Sequence, residues 1–502
     1  MAEVVENNRE TGSDIGQKTG IGIVWKTMEV VLKKIISTVV TIILARILSG
    51  EDYGIIALTT VFITFSNVFT QNGFGLALVR EKNLEKRDIS TALTSNLVFT
   101  SLLYCLIFVF APYIAEFYKT ELLCDVLRVI SLTVIVQGFY SIPMSVCTRQ
   151  MRFKYISISG TLSSALSCVA GVVLAYLGFG VWALVAQQLV MSGVDCILLP
   201  ILSKFRISFI FSRGSFKKLI KFSVGSSAAS LLDFAGNYGV SLLLGRAISV
   251  EQLGIYNKGV LLPELIGLNV FNIINATMLP ALVASSSDKE NFDGEIKKFI
   301  SKTYYIMLPI MLGLFLVSDQ AIPVLLSDKW NAAIPVMEMY CLVYLVNPLR
   351  AFAYNAFYAK GQTSKSIIIE AVRAILMLTS ASVVLYAMNG DIVTLSVAVA
   401  VVYSVVSLLS VLWLFLAYKI DSRDLLKEIL DALILTVVMA ICVCAVDFLP
   451  LGVTATLIVK ILIGALIFVL MSVYTKNANF YSILGFLSVI KARIFKRKGK
   501  TE

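Results

Sequence analysis

Between residues 21 and 476 the chain is a succession of apolar runs, each about 20 residues long, joined by short polar connections. A run of that length crosses the ~30 Å hydrocarbon layer of a bilayer as a helix, because a helix satisfies its backbone polar groups internally. About fourteen such spans are expected. They start near Ile23, Tyr53, Ser90, Leu122, Phe153, Gly180, Phe216, Leu253, Phe299, Ala332, Ser366, Ile392, Leu425 and Val453. Composition agrees: 58% of residues are hydrophobic and 15% charged, whereas soluble domains carry roughly 25% charged residues. The expected fold class is therefore all-α integral membrane.

Lysine and arginine collect in every second connection. One set holds Arg80, Lys82, Lys86 and Arg87, then Arg149, Arg152 and Lys154, then Lys204, Arg206, Arg213, Lys217 and Lys218. The alternate set offers little beyond Arg46, Lys119, Arg246 and Lys329. By the positive-inside rule the rich side is cytoplasmic, and an even span count places both termini there. The net charge of +11 follows from this topology and needs no nucleic-acid partner. The polar first twenty residues lack the pattern of a cleavable leader, so the first span is expected to direct insertion. The tail at 477–502 mixes apolar and basic residues, as in a helix lying on an anionic membrane surface. With no histidine in the chain, His-ligated metal and His acid–base chemistry are excluded. The eight cysteines form no CxxC and sit mostly in apolar runs, where they read as small hydrophobes with no metal site.

One short stretch occurs twice. LARILSGEDYGI, Leu44 to Ile55, returns as LGRAISVEQLGI, Leu244 to Ile255, with six identities in twelve positions at a constant offset of 200. Tandem duplication of a six-span unit explains it. Six is even, so the copies enter the membrane with the same orientation, as parallel repeats. The layout is then a tail (1–20), spans 1–6 (21–205), spans 7–12 (206–420), an extra helix pair (421–476) and the basic tail (477–502). Locally, Arg46 and Arg246 end a helix, Ser49 and Ser249 N-cap the next, and Asp52 and Gln252 complete near-capping boxes. The corner is structural, or its arginines attract an anionic group at the outer exit.

Polar residues recur at helical spacing inside several spans, where they usually face a cavity or a partner. Span 1 carries Lys26, Glu29 and Lys33, with Lys34 beside them, and span 2 carries Thr60, Thr64, Asn67 and Gln71. Span 7 carries Asp233 and Asn237, span 8 carries Asn272 and Asn275, and span 10 carries Tyr344, Asn347, Arg350 and Tyr354. The offset of 200 sets Lys33 against Asp233. Amides and hydroxyls among tyrosine rings suit a sugar, though interhelical hydrogen bonding and interface anchoring account for the same residues.

The Leu44–Ile55 corner, followed by GFGLALVREKN from Gly73, resembles the polysaccharide exporters: the Wzx-like lipid-linked oligosaccharide flippases of the multidrug/oligosaccharidyl-lipid/polysaccharide superfamily. The match covers the first two spans best and extends to most of the chain through short loops, duplication and span count. The resemblance implies two six-helix lobes around a central cleft that opens alternately to either side of a bacterial inner membrane. It implies transport of an undecaprenyl-pyrophosphate-linked repeat unit for O-antigen, capsule or exopolysaccharide, with membrane lipids and polysaccharide polymerase or assembly proteins as partners, no catalytic residue and no cofactor. A basic cleft lining would be Lys33, Lys34, Arg46, Arg246 and Arg350. Glu29 and Asp233 depart from it and are candidates for binding a coupling proton or Na+. A cation-coupled multidrug antiporter of the same superfamily is the nearest rival. A membrane polymerase or glycosyltransferase would need a large outer loop, which the sequence lacks.

Overall fold

The computed structural model describes residues 32–34, 36–70, 74–81, 84–388, 390–482 and 484–485. Glu29, Gln71 and most of the basic tail lie outside them, as do the side chains of Asp233 and Asn237. The chain is helical, with no strand among the described residues. Among the described residues, twelve helices are long and apolar enough to cross a bilayer. Residues 36–47, here α1, and the 35-residue α9, Arg213–Ala247, occupy the other two positions expected from the sequence.

Packing divides the chain into two compact units, Met1–Gly254 and Ile255–Glu502. In the first, α2 (Gly50–Thr70), the short α3 (Leu76–Arg80) and α4 (Lys86–Phe117) are followed by α5 (Leu122–Ile130) and α6 (Leu132–Arg149), which run on as a single span. Then come α7 (Phe153–Tyr176), α8 (Val181–Ser203) and α9. α9 packs along α2 and α4: Leu219 joins the apolar cluster of Phe74, Leu78 and Leu93. At Gly245 a Cβ would stand 3.1 Å from the Tyr118 ring. This unit thus takes in a helix beyond the 205/206 seam of the sequence repeat. In the second unit, α10 (Val250–Ala284, its first turn in the preceding unit), α11 (Lys289–Leu316), α12 (Ser318–Leu325) and α13 (Ile334–Ala359) precede α14 (Thr363–Ser382) and α15 (Ile392–Tyr418). The last pair is α16 (Arg423–Ala445) and α17 (Val453–Tyr474). Its core gathers Phe292, Phe352, Phe357 and Leu435.

Large apolar side chains also point away from these cores. Leu409, Leu412 and Leu416 of α15 and Leu462 and Leu466 of α17 are all more than half exposed, Leu416 to 78%. Such continuous apolar faces are stable against hydrocarbon and not against water. The structure therefore agrees with the hydropathy reading, since large apolar side chains of the long helices face outward.

The duplicated corner adopts the form its spacing predicts. Ser49 N and Oγ donate to Asp52 Oδ2 at 2.9 and 2.7 Å, and Asp52 N donates back to Ser49 Oγ at 3.2 Å. In the second copy Gln252 N donates to Ser249 Oγ at 3.2 Å. The two copies also touch. A Cβ on Gly54 would lie 2.6 Å from Val250 Cγ1 and 2.7 Å from its carbonyl carbon, and one on Gly254 would lie 2.9 Å from the Gly50 carbonyl carbon. Glycine at 54 and 254 is what lets the two first turns meet backbone to backbone.

A second local device orders the segment after α2. The Arg149 guanidinium, at the end of α6, donates through Nη1 to the carbonyls of Leu78 (3.0 Å) and Val79 (3.3 Å), and also to that of Glu81. It so satisfies the C-terminal carbonyls of the one-turn helix α3, which is too short to hold itself.

Candidate functional site

The densest set of intramembrane polar contacts among the described residues lies inside the second unit, on α10, α13, α14 and α15. The α13 sequence places Tyr340, Tyr344, Asn347, Arg350, Tyr354 and Tyr358 at steps of three and four, hence along one face. Pro348 interrupts the helix and withholds the N–H that would bond the Tyr344 carbonyl.

At one end of the face the Tyr340 and Tyr256 hydroxyls are hydrogen-bonded, their rings edge to face with centroids 5.7 Å apart. Tyr344 packs on Gly267, where a Cβ would stand 2.8 Å from the ring. Next, Asn347 Oδ1 accepts from Arg350 Nε at 3.2 Å and Nη2 at 3.0 Å. Arg350 Nη1 is ion-paired with Glu370 on α14. The other Glu370 oxygen pairs with Arg373 Nε at 2.9 Å, and Arg373 Nη1 donates to Tyr403 OH on α15 at 3.3 Å. Further along, Asn355 Nδ2 donates to Asn275 Oδ1 at 2.9 Å, and the rings of Tyr354 and Tyr358 stack with centroids 6.3 Å apart.

Depth follows from helix geometry. Arg350 is nine residues from the Ala359 end of α13 and Arg373 ten from the Thr363 end of α14. At 1.5 Å per residue that is about 14–15 Å, half of a ~30 Å hydrocarbon layer. Two guanidiniums and a carboxylate therefore lie together near mid-depth, with Arg373 buried at 2% exposure. Charges in such a place are costly unless paired or hydrated, and they mark paths for charged solutes or ions.

The sequence pointed to Tyr344, Asn347, Arg350, Tyr354 and Asn275, and the structure places them on this network or in its continuation. Asn272 is exposed and makes no part of it. It missed Glu370, Arg373 and Tyr403. The signal was present: Glu370 and Arg373, three apart in IIIEAVRAILML, are charges in a span otherwise uncharged from Ile367 onward.

The first unit disperses its candidates. Lys33 is half-buried, and Lys34 and Arg46 are exposed. The Arg246 guanidinium lies 5.2 Å from the centroid of the Phe117 ring. Asn67 accepts from Thr70 at 3.4 Å in its own helix, and Thr60 returns its hydroxyl to Ile56 O at 2.7 Å. Two buried polar sites there had not been singled out. Asn96 donates to Gly138 O at 2.7 Å and Ser141 Oγ at 2.9 Å. Ser159 donates to the Asp195 carboxylate at 2.9 Å between α7 and α8.

These features define a many-helix membrane protein of the flippase and multidrug-transporter fold. The structure of Lipid II flippase MurJ in its inward closed conformation superposes with a TM-score of 0.72 at 15% identity, covering 90% of this chain and 99% of that one. The chain belongs to the polysaccharide biosynthesis protein family, whose profile matches residues 43–335. It is similar to the succinoglycan biosynthesis transport protein ExoT of Rhizobium meliloti, at 25% identity over 77% of each chain. It is also similar to the teichuronic acid biosynthesis protein TuaB of Bacillus subtilis, at 23% identity over 84% of this chain and 87% of that one.

Proposed function

We propose that this protein moves a lipid-linked oligosaccharide across a bacterial inner membrane by alternating access, with the basic face and both termini in the cytoplasm. The observation that carries the reading is the family match across more than half of the chain. The mid-depth cluster of Arg350, Glu370 and Arg373 supports it. A diphosphate with sugars cannot enter hydrocarbon unaided, and guanidiniums, amides and phenols replace the water it leaves. The prenyl tail stays in lipid. The cargo is an undecaprenyl-pyrophosphate repeat unit, and the protein is a carrier and not an enzyme.

An inside-negative potential assists outward movement of the anion by ~2.3 kcal/mol per charge per 100 mV. A proton or Na+ bound at Asp233 or Glu29 would drive the return step instead. Deleting the gene tests the function. Lipid-linked repeat units should accumulate on the cytoplasmic leaflet and surface polysaccharide should fall. Unchanged polysaccharide, or efflux of cationic dyes without any effect on polysaccharide, would replace this reading with the antiporter one.

A further inference from the structure

The geometry points to Glu370 as a positioning residue that holds Arg350 in reserve and yields it to a diphosphate group of the substrate, an inference that rests on the transport reading above. Four observations carry it.

Two guanidiniums share one carboxylate, so the three side chains sum to one excess positive charge near mid-depth. An excess charge of that sign in a partly desolvated place favours an added anion. Access to the three groups also differs. The Arg373 side chain is 3% accessible, that of Arg350 15% and that of Glu370 30%. An arriving anion meets Arg350 and Glu370, while Arg373 is sealed behind them. Exchange of partners, in turn, leaves no carboxylate without a cation. When Arg350 turns to the anion, Glu370 keeps Arg373 Nε at 2.9 Å, and Arg373 keeps Tyr403 OH at 3.3 Å. Were Glu370 paired with Arg350 alone, the same exchange would leave a half-buried carboxylate with no cation beside it.

Finally, Asn347 Oδ1 grips Nε and Nη2 of Arg350, so the guanidinium is aimed and its Nη1 edge is the one that changes partner. A diphosphate offers adjacent oxygens that match a guanidinium fork, whereas a prenyl alcohol offers none. Glu370 sets a threshold as well, since its own charge repels the ligand that must displace it. The cluster therefore selects for a highly charged headgroup.

The test uses the purified full-length protein in lipid nanodiscs, with farnesyl diphosphate and farnesol as probes. The wild type should bind the diphosphate and discriminate against the alcohol. Glu370→Gln, which removes the competitor while keeping the shape, should bind the diphosphate about tenfold more tightly, and Arg350→Ala about tenfold more weakly. Neither should change farnesol binding, and Arg350→Lys should restore part of the loss. If Glu370→Gln does not fold, as judged by gel filtration, Glu370→Asp draws the carboxylate back by one methylene and should shift affinity in the same direction. A merely structural Glu370 predicts weaker binding of both probes.

Equal or weaker diphosphate binding in the Glu370 variant, or an Arg350→Ala protein that binds as the wild type does, overturns the inference. If deletion of the gene abolishes surface polysaccharide while the variants bind normally, the transport reading stands and this one falls. If deletion leaves polysaccharide intact, the transport reading falls whatever the affinities.

Discussion

Placing a methyl group where the two copies of the corner meet should destabilise the protein from either side. At Gly54 an alanine Cβ would stand 2.7 Å from the Val250 carbonyl carbon and 2.6 Å from Val250 Cγ1. Carbon atoms rest at about 3.5–4.0 Å, so the two first turns must part by about 1 Å. At Gly254 the obstructing atoms are the Gly50 carbonyl oxygen, its carbon at 2.9 Å and Gly54 N at 3.0 Å. All of these except Cγ1 are backbone and cannot rotate away. Overpacking of this kind costs about 1–3 kcal/mol. At about 2 °C per kcal/mol for a large chain, Tm in detergent should fall by roughly 2–6 °C for Gly54→Ala or Gly254→Ala. One separation relieves both clashes, so the double variant should lose clearly less than the sum of the two. Gly193, inside α8 with nothing within 4 Å of its Cβ direction, provides the control: Gly193→Ala should gain about 0.5–1 kcal/mol. An unchanged Tm for Gly54→Ala, or full additivity in the double variant, would show that the corners do not meet and would refute the reasoning.

Three further outcomes follow from local contacts. Ser49→Ala breaks a reciprocal box and Ser249→Ala a single capping bond, so each should cost about 1 kcal/mol in thermal unfolding, the first more than the second. Asp391 caps α15, and its carboxyl lies below the ordinary range because Thr394 N and Oγ1 both donate to it. A lowered folded-state value gives stability that is present above the unfolded-state value and lost as pH falls through the folded one. The Tm gap between wild type and Asp391→Ala should therefore close below about pH 4 and stay constant from pH 6 to 8. Ser159→Ala removes a hydroxyl donated to the buried Asp195 and should cost about 1–3 kcal/mol. Loss of less than 0.5 kcal/mol would place that carboxylate in water.

Much of the architecture was legible because the bilayer enforces a simple rule: a run of about 20 apolar residues is a spanning helix whatever it packs against. Thirteen of the fourteen starts read from hydropathy fall on or beside the first turns or bodies of helices for that reason, and the other, Ile23, lies outside the described residues. The corner was legible because a capping box is local and needs only Ser49 and Asp52, three apart. The candidate site was legible only on its own helix. Asn347 and Arg350 share a face of α13, and spacing alone says so. Glu370 and Arg373 read as an i,i+3 pair on α14, complete in itself, and no sequence period reveals that the carboxylate also serves a guanidinium on another helix. Polar stripes misled in the opposite direction. Thr60 answers to a carbonyl of its own helix, and Asn67 accepts from a threonine of that helix, so periodicity marked a face without saying what the face meets. The two compact units, too, divide at Gly254 and not where the repeat begins, since α9 buries Leu219 and Gly245 against α2 and α4.

The corner contact has a property that follows from its numbering. Residue 54 meets 250 and residue 254 meets 50, which are the same pair of positions exchanged between copies. A half-length chain carrying one such corner would meet a second molecule of itself through an isologous patch, with a two-fold axis passing between the glycines. Fusion of two such chains removes the need for identity on both sides. The contact presents the carbonyl of position 50 and the missing side chain of position 54, so valine can replace glycine at 250 while glycine is kept at 54 and 254. The difference between GEDYG and VEQLG is one that a contact within a single chain tolerates, because its two sides need not be identical.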